Sequence, residues 1–193
     1  MRCFLAVPLE EPALTAAQQQ LAGLHDEVSD VRWVRPDALH ITVHFFGSVT
    51  DEQTGTALAA VLPTIDATRC FALRLDALGA FPERGQPRVL WLGMSEQPPV
   101  FDDLVHRCRE ALSRTGFTVE ERPFRAHCTL GRPRAPWPRT SQRAWRATVA
   151  RGVAAMRFDA SRLVLYESVH AIGGNRYVER ANHPFPTTTK QEV

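Results

Sequence analysis

Lysine is nearly missing from this chain: of 23 basic residues only Lys190 is one. Tyrosine is almost as scarce, with 2. The 4 cysteines, Cys3, Cys70, Cys108 and Cys128, form no Cys-x-x-Cys pair and stand in apolar runs, which reads as reduced, packed thiols rather than disulfides or a zinc site. No apolar stretch approaches the roughly 20 residues that a membrane helix needs, and the run at residues 3–9 is too short for a signal sequence and meets Glu10-Glu11 at once. These absences predict a cytoplasmic protein with no membrane anchor. His-Glu-x-x-His, Gly-x-Ser-x-Gly and Gly-x-x-x-x-Gly-Lys are also absent, so zinc hydrolase, serine esterase and P-loop chemistry lack their required groups.

Acids are missing from one long stretch. Nine arginines and no Asp or Glu occupy Arg122 to Arg157, so that block carries +9 and the remainder, with 14 basic and 21 acidic residues, carries −7. A preference for arginine over lysine accounts for the choice of base but not for the missing acids. A polyanionic partner is one reading; a solvated basic face is the other. At 193 residues, 44% hydrophobic and 23% charged, the chain is expected to be one domain, with room for two lobes and a real core.

What is present is a repeated motif. His40-Ile41-Thr42-Val43 recurs 87 positions later as His127-Cys128-Thr129-Leu130, each preceded by Arg-Pro at the same distance (Arg35-Pro36, Arg122-Pro123). The same shift lays Pro12 over Pro99 and Leu14 over Phe101, each opening a helical pattern. The repeat implies an internal duplication and an approximate two-fold axis. The surrounding β-branched and aromatic residues predict strands, on which His40 and Thr42 share one face, as do His127 and Thr129.

The order of elements follows from periodicity and breakers. Strands are predicted at 2–7, 31–34, 40–46, 70–78, 88–94, 124–132 and 157–169. Helices are predicted from Pro12 along Leu14, Ala17, Leu21, Leu24 and Val28; from the capping box Thr50–Gln53 to about Pro63; from Pro98-Pro99 to Gly116; and around 140–150. A hairpin turn is expected at Gly173-Gly174-Asn175 and a frayed tail past Pro186. His25 and His106 lie off their helices' apolar stripes and are expected to face solvent.

His40 and His44 are four apart. On a strand at about 3.3 Å per residue they stand about 13 Å from each other, too far to share a zinc, so His44 reads as a groove or surface neighbour. Metal-free acid and base chemistry remains. Two imidazoles can hold opposite protonation states near neutral pH, one accepting a proton from a nucleophile and one donating to a leaving group. In-line displacement at phosphorus needs those two on opposite sides, and hydroxyls such as Thr42 and Thr129 for the equatorial oxygens.

The chain resembles the two-histidine phosphoesterase superfamily, and within it the RNA 2′,3′-cyclic phosphodiesterases, also called 2′-5′ RNA ligases. The resemblance runs through residues 1–9, Val31 to Val34, Leu39 to Gly47, Pro123 to Arg132, and Leu165 to Ser168 before Gly173 and Tyr177. Ala126 stands where the family often has proline, and His44 is an unusual occupant. The resemblance implies an α+β, bilobed fold: two pseudo-symmetric lobes, each an antiparallel sheet with helices outside, around a central cleft. It implies hydrolysis of an RNA terminal 2′,3′-cyclic phosphate to a 2′-phosphate, reversible as ATP-independent 2′-5′ ligation when an RNA 5′-hydroxyl replaces water. His40 would be the proton donor, His127 the proton acceptor, and Thr42 and Thr129 phosphate ligands.

The family's aromatic after the first motif maps to Phe45 and its arginine after the second to Arg132. Strict alternation puts both out of phase with the histidines, so Phe45 could equally serve packing and Arg132 would have to curl in from a strand end. The Arg122 to Arg157 block would follow an RNA backbone, with Trp137 and Trp145 available to stack on bases or, in the plainer reading, packed inside. No metal, no cofactor and no obligatory protein partner are expected, and the chain is expected to be a monomer. Two alternatives stand beside this reading: an enzyme for a smaller cyclic phosphate, such as a cyclic nucleotide or an ADP-ribose cyclic phosphate, and a non-catalytic RNA-binding module.

Overall fold

The computed structural model describes residues 1–171 and 174–187. The first half runs β1 (Arg2–Pro8), α1 (Ala13–Glu27), β2 (Val31–Trp33), a single 3-10 turn (Pro36–Ala38), β3 (His40–Ser48), α2 (Asp51–Asp66), β4 (Phe71–Leu75) and β5 (Ala77–Phe81). The second runs β6 (Val89–Gly93), α3 (Pro99–Arg114), β7 (His127–Pro133), α4 (Arg139–Arg151), β8 (Met156–Ala160), β9 (Arg162–Ala171) and β10 (Gly174–Pro184). Among the described residues no helix is long and apolar enough to cross a membrane. Gly174 and Asn175, expected in a hairpin turn, are instead the first residues of β10, paired with Ala171 and His170 of β9; Gly173 and the tail beyond residue 187 lie outside the described residues.

Local chemistry explains the helices. The Thr50 hydroxyl accepts from the Gln53 N–H at 3.1 Å while the Gln53 side chain accepts from the Thr50 N–H at 2.9 Å, closing the capping box that starts α2. Phe101, Leu104, Val105, Cys108 and Leu112 form the buried stripe of α3, and Gly116, at φ +85°, follows its end. Four expectations are corrected. Helix α2 does not stop at Pro63 but runs to Asp66, because Thr64 and Ile65 beyond the proline are buried and packing carries the last turn. The run 70–78 is two strands broken at Asp76, whose carboxylate accepts from the Ser95 N–H (2.8 Å) and hydroxyl (2.7 Å). The run 157–169 is likewise two, broken at Ser161, whose hydroxyl donates to Glu10 (2.9 Å). The strand expected from 124 begins only at His127.

These breaks let the pieces join different sheets. The main antiparallel sheet has the order β10-β9-β1-β3-β7-β6-β5 with β2 added alongside β7; β4 and β8 form a separate pair. The duplication is visible in this order, since β9-β1-β3 in one half matches β5-β6-β7 in the other. The halves meet where β3 pairs with β7 through one residue pair, Ile41 with Cys128. Those residues are 87 apart and therefore equivalent in the repeat. An antiparallel pair between equivalent residues places the pseudo-two-fold axis through that pair.

Cys3, Leu5 and Val7 of β1, Ile41 of β3 and Cys128 of β7 join the helices in one buried core. The opposite face of the same strands carries His40, Thr42, His127 and Thr129, all partly exposed. The fold is α+β, as the resemblance implies; the strands of the two halves join through the Ile41–Cys128 pair into one eight-stranded antiparallel sheet, with β4 and β8 as a separate pair.

Gly131 fixes how β2 closes the edge of β7. A Cβ there would stand 2.6 Å from Val31 Cγ1 and 2.9 Å from the Trp33 ring. Gly131→Val is therefore expected to cost about 1–3 kcal/mol through overpacking. Urea unfolding checks this: the midpoint should fall at unchanged slope, and an unchanged midpoint would contradict the contact.

Candidate active site at the junction of the halves

Each motif strand carries a bulge at the same place. The pairing of β3 with β1 shifts between Leu5↔His44 and Ala6↔Thr42, which leaves Val43 extra. The pairing of β7 with β6 shifts between Trp91↔Thr129 and Leu90↔Gly131, which leaves Leu130 extra. Val43 and Leu130 are again 87 apart. A bulge inserts one residue and inverts the alternation beyond it.

The inversion corrects the phase of three residues. Phe45 lies on the His40 and Thr42 face, opposite Phe4, and is half-exposed with the Arg2 guanidinium 5.0 Å from its ring centre. Arg132 lies on the His127 and Thr129 face without any curl of a strand end, since β7 continues to Pro133. It stands directly opposite Arg32 of β2 in the sheet. His44 turns the other way, into the interior: it is 6% exposed, packs edge-on to Phe46 at 4.7 Å, and its Nε2 has no hydrogen-bond partner. It is therefore not a surface residue, but it borders a groove lined also by Thr42, Phe45 and His127, which is the other half of the expectation.

The two histidines are pinned alike. His40 Nδ1 lies 2.7 Å from the Ala38 carbonyl and His127 Nδ1 lies 2.7 Å from the Arg125 carbonyl, an equivalent pair of bonds. A carbonyl only accepts, so each Nδ1 carries the proton and donates it. In the neutral ring each Nε2 is then a free lone pair. His40 Nε2 is 3.1 Å from the Thr42 hydroxyl, which donates to it. Because the strands run antiparallel about the Ile41–Cys128 pair, His40 lies toward the Thr129 side and His127 toward the Thr42 side.

Surroundings make the equivalent rings unequal. His40 stacks on Phe4 at 4.8 Å and meets Tyr177 edge-on at 5.1 Å, with Tyr166 at 6.1 Å. Burial among these rings, and to a smaller extent the neighbouring His127, lowers its pKa to about 4. His127 faces the edge of Phe81 at 5.0 Å; its pKa is lowered first by burial, then by Arg132 and Arg125. Burial raises the pKa of Tyr177, against the pull of Arg132.

Sequence reasoning gave no site role to Phe4 or Phe81, included Arg125 only within the basic block from Arg122 to Arg157, and quoted Tyr166 and Tyr177 only within the resemblance. A usable signal was available in the tyrosines: the chain has 2, and both border His40. Trp137 and Trp145 are each 3% exposed, and the Trp137 indole donates to the Ser29 carbonyl at 3.1 Å, so they are packed inside and are not open stacking platforms. Among the described residues no three His, Cys, Asp or Glu side chains converge to hold a metal ion.

Two His-x-Thr strands crossing at a pseudo-two-fold axis, with four polar side chains on one face, define a two-histidine phosphoesterase. The chain belongs to the LigT-like phosphoesterase family: the sequence model of the family described as LigT like Phosphoesterase matches residues 11–91, and relatives match about two thirds of its length. An RNA 2′,3′-cyclic phosphodiesterase of Archaeoglobus fulgidus is 34% identical over 134 residues, 68% of this chain and 72% of that protein. One of Methanothermobacter thermautotrophicus is 32% identical over 136 residues, 70% and 73% of the two chains. A Geobacillus stearothermophilus protein of the same name is 31% identical over 129 residues, but the match spans only 41% of its length. Among solved structures, Escherichia coli LigT complexed with 3′-AMP superposes with a TM-score of 0.75 at 25% identity, covering 95% of this chain and 97% of that one. The protein TT0787 of Thermus thermophilus shares the fold with a TM-score of 0.78 at 24% identity, over 96% and 98% of the two chains.

The depressed histidines predict how stability responds to acid. His40 and His44 both have pKa values lowered to about 4 in the folded chain, against about 6.5 when unfolded. Between those values the unfolded chain binds more protons, so their stabilisation is complete above pH 6.5 and is lost as pH falls toward 4. The thermal midpoint should hold steady from about pH 8 to 7 and decline below about 6.5, and His44→Leu should flatten the decline. A midpoint independent of pH across that window would contradict the burial of these rings.

Proposed function

We propose that the chain hydrolyses a 2′,3′-cyclic phosphate at the 3′ end of RNA to a 2′-phosphate, using the two imidazoles and no metal. The observation that carries this reading is the crossing of two His-x-Thr strands at Ile41 and Cys128 with both Nδ1 atoms fixed on backbone carbonyls. That geometry leaves two Nε2 atoms as the proton-transferring positions, one on each side of the axis. The names of the relatives support the reaction and the RNA substrate.

His127 is the base. Burial, and after it Arg132 and Arg125, hold its pKa down, so at neutral pH it is unprotonated and able to take a proton from water through Nε2. The resulting hydroxide attacks phosphorus, and the P–O3′ bond on the far side breaks. His40 is the acid, giving its Nε2 proton to the departing O3′, which becomes the 3′-hydroxyl. No arginine is among the causes that depress the His40 pKa, so an incoming phosphate anion is the charge that raises it and loads it with a proton. Thr42 and Thr129 donate to the equatorial oxygens, whose negative charge grows in the transition state. Phe45 and Arg132, on the same face, hold the terminal nucleotide and its phosphate. With an RNA 5′-hydroxyl in place of water as the nucleophile, the same steps in the same direction would form a 2′-5′ linkage and free the 3′-hydroxyl.

Turnover of an oligoribonucleotide ending in a 2′,3′-cyclic phosphate, assayed in EDTA, tests this. His40→Asn and His127→Asn should each lower kcat about 10²–10⁴-fold while remaining folded, and Thr42→Val or Thr129→Val about 10²-fold. The product phosphate should sit on the 2′ oxygen and the rate should be bell-shaped in pH. Loss of wild-type activity in EDTA with recovery on added zinc, or full activity in either histidine variant, would refute the mechanism.

A further inference from the structure

By the 87-residue repeat, β2 (Val31–Trp33) corresponds to residues Thr118 to Glu120. Strand β2 closes the edge of β7, pairing Val31, Arg32 and Trp33 with Pro133, Arg132 and Gly131. The symmetric arrangement would lay residues 118–120 along β3. They form no strand; they stand off, and with β3 from Thr42 to Phe45 they wall a groove of ≈ 800 Å³ that reaches His127 at the catalytic face. One substitution within the repeat accounts for the difference. Close approach of β2 requires Gly131, and the residue equivalent to Gly131 is His44. A side chain at the Gly131 position would meet a strand laid as β2 is, so the repeat's histidine at 44 is incompatible with the same close approach on this side.

The groove is built for a polar, anionic, aromatic occupant. Arg109, Arg122 and Arg125 border it, Arg122 paired with Glu120 at 2.6 Å and Arg125 with Glu83, and Phe45, Phe81 and Phe124 supply rings. Arg109 donates to the Arg122 carbonyl at 2.9 Å, which fixes its guanidinium at the wall. Two buried nitrogens here have no hydrogen-bond partner: Nε2 of His44, which is 6% exposed as a residue, and Nε of Arg109. Unpaired buried polar atoms are costly, and at a groove wall they point to a ligand that satisfies them. The volume suits a nucleotide, and arginines with aromatic rings are the means by which proteins hold single-stranded RNA.

We propose that this groove seats the nucleotide immediately 5′ of the cyclic end, with His44 and Arg109 bonding its phosphate or base edge. The inference rests on the hydrolytic reading for the identity of the terminal group and adds a minimum substrate length to it. The enzyme then prefers an RNA end of two or more nucleotides to a cyclic mononucleotide, and admits the strand from one side only.

The test is calorimetric binding of two reaction products, a dinucleotide and a mononucleoside each ending in a 2′-phosphate, alongside turnover of the matching cyclic substrates. Wild type should bind the dinucleotide at least tenfold tighter. Arg109→Met and His44→Phe should bring the two affinities within about twofold while leaving turnover of the cyclic mononucleotide unchanged. Equal binding of both products by wild type would overturn the proposal without any variant, and so would variants that weaken both products alike. Dinucleotide preference without turnover of either substrate would keep the groove and remove the hydrolytic reading.

Discussion

The structure depends on one backbone pairing, Ile41 with Cys128. Both side chains are fully buried on the core face, and that burial sets the register between β3 and β7. A slip of one residue would turn the histidines of one strand into the core and expose an apolar residue in their place. Everything at the active face inherits its geometry from this contact: which imidazole faces which threonine, and on which sides of the axis the two Nε2 atoms lie. The buried residues between each His and Thr are therefore as much a part of the site as the polar residues that flank them.

The site uses desolvation in a controlled way. Rings buried without a counter-charge are held neutral, which suits a base but not an acid. The two histidines resolve this through their neighbours rather than their backbones, which are equivalent. Arginines beside His127 oppose its protonation. Aromatic rings around His40 remove water and supply no positive charge, so under the proposed mechanism its protonation would answer to the phosphate that enters the cleft. Under the proposed mechanism, symmetric backbones with unsymmetric surroundings would supply an acid and a base from one duplicated motif.

Much of this was legible in the residues. The shift of 87, the shared face of His40 and Thr42, the capping box at Thr50 and the stripe of α3 follow from local spacing, and local spacing survives folding. The phase of Phe45 and Arg132 was not legible, because the bulges at Val43 and Leu130 arise from pairing with β1 and β6, and neither residue carries a backbone preference that would announce them. The same holds for the breaks at Asp76 and Ser161, where the strand pattern continues without a glycine or proline and a side-chain bond to a distant segment decides the matter. Pro63 misled in the other direction: a real breaker was overridden by the packing of Thr64 and Ile65. His44 combined two difficulties, since a bulge inverted its face and its meaning lies in what its repeat partner, Gly131, permits.

The bulges at equivalent positions have a consequence for how such an enzyme could arise. A half-length chain carrying one His-x-Thr strand, one bulge and one buried contact residue holds every device needed to pair with its own copy across a two-fold axis. Such a homodimer would accept a substrate in two orientations, each imidazole serving as acid in one and base in the other. Fusion of two such halves would remove the requirement that they stay identical. With glycine in one copy and histidine in the other, one flank could close while its twin stayed open, and a molecule assembled by symmetry would acquire a front and a back.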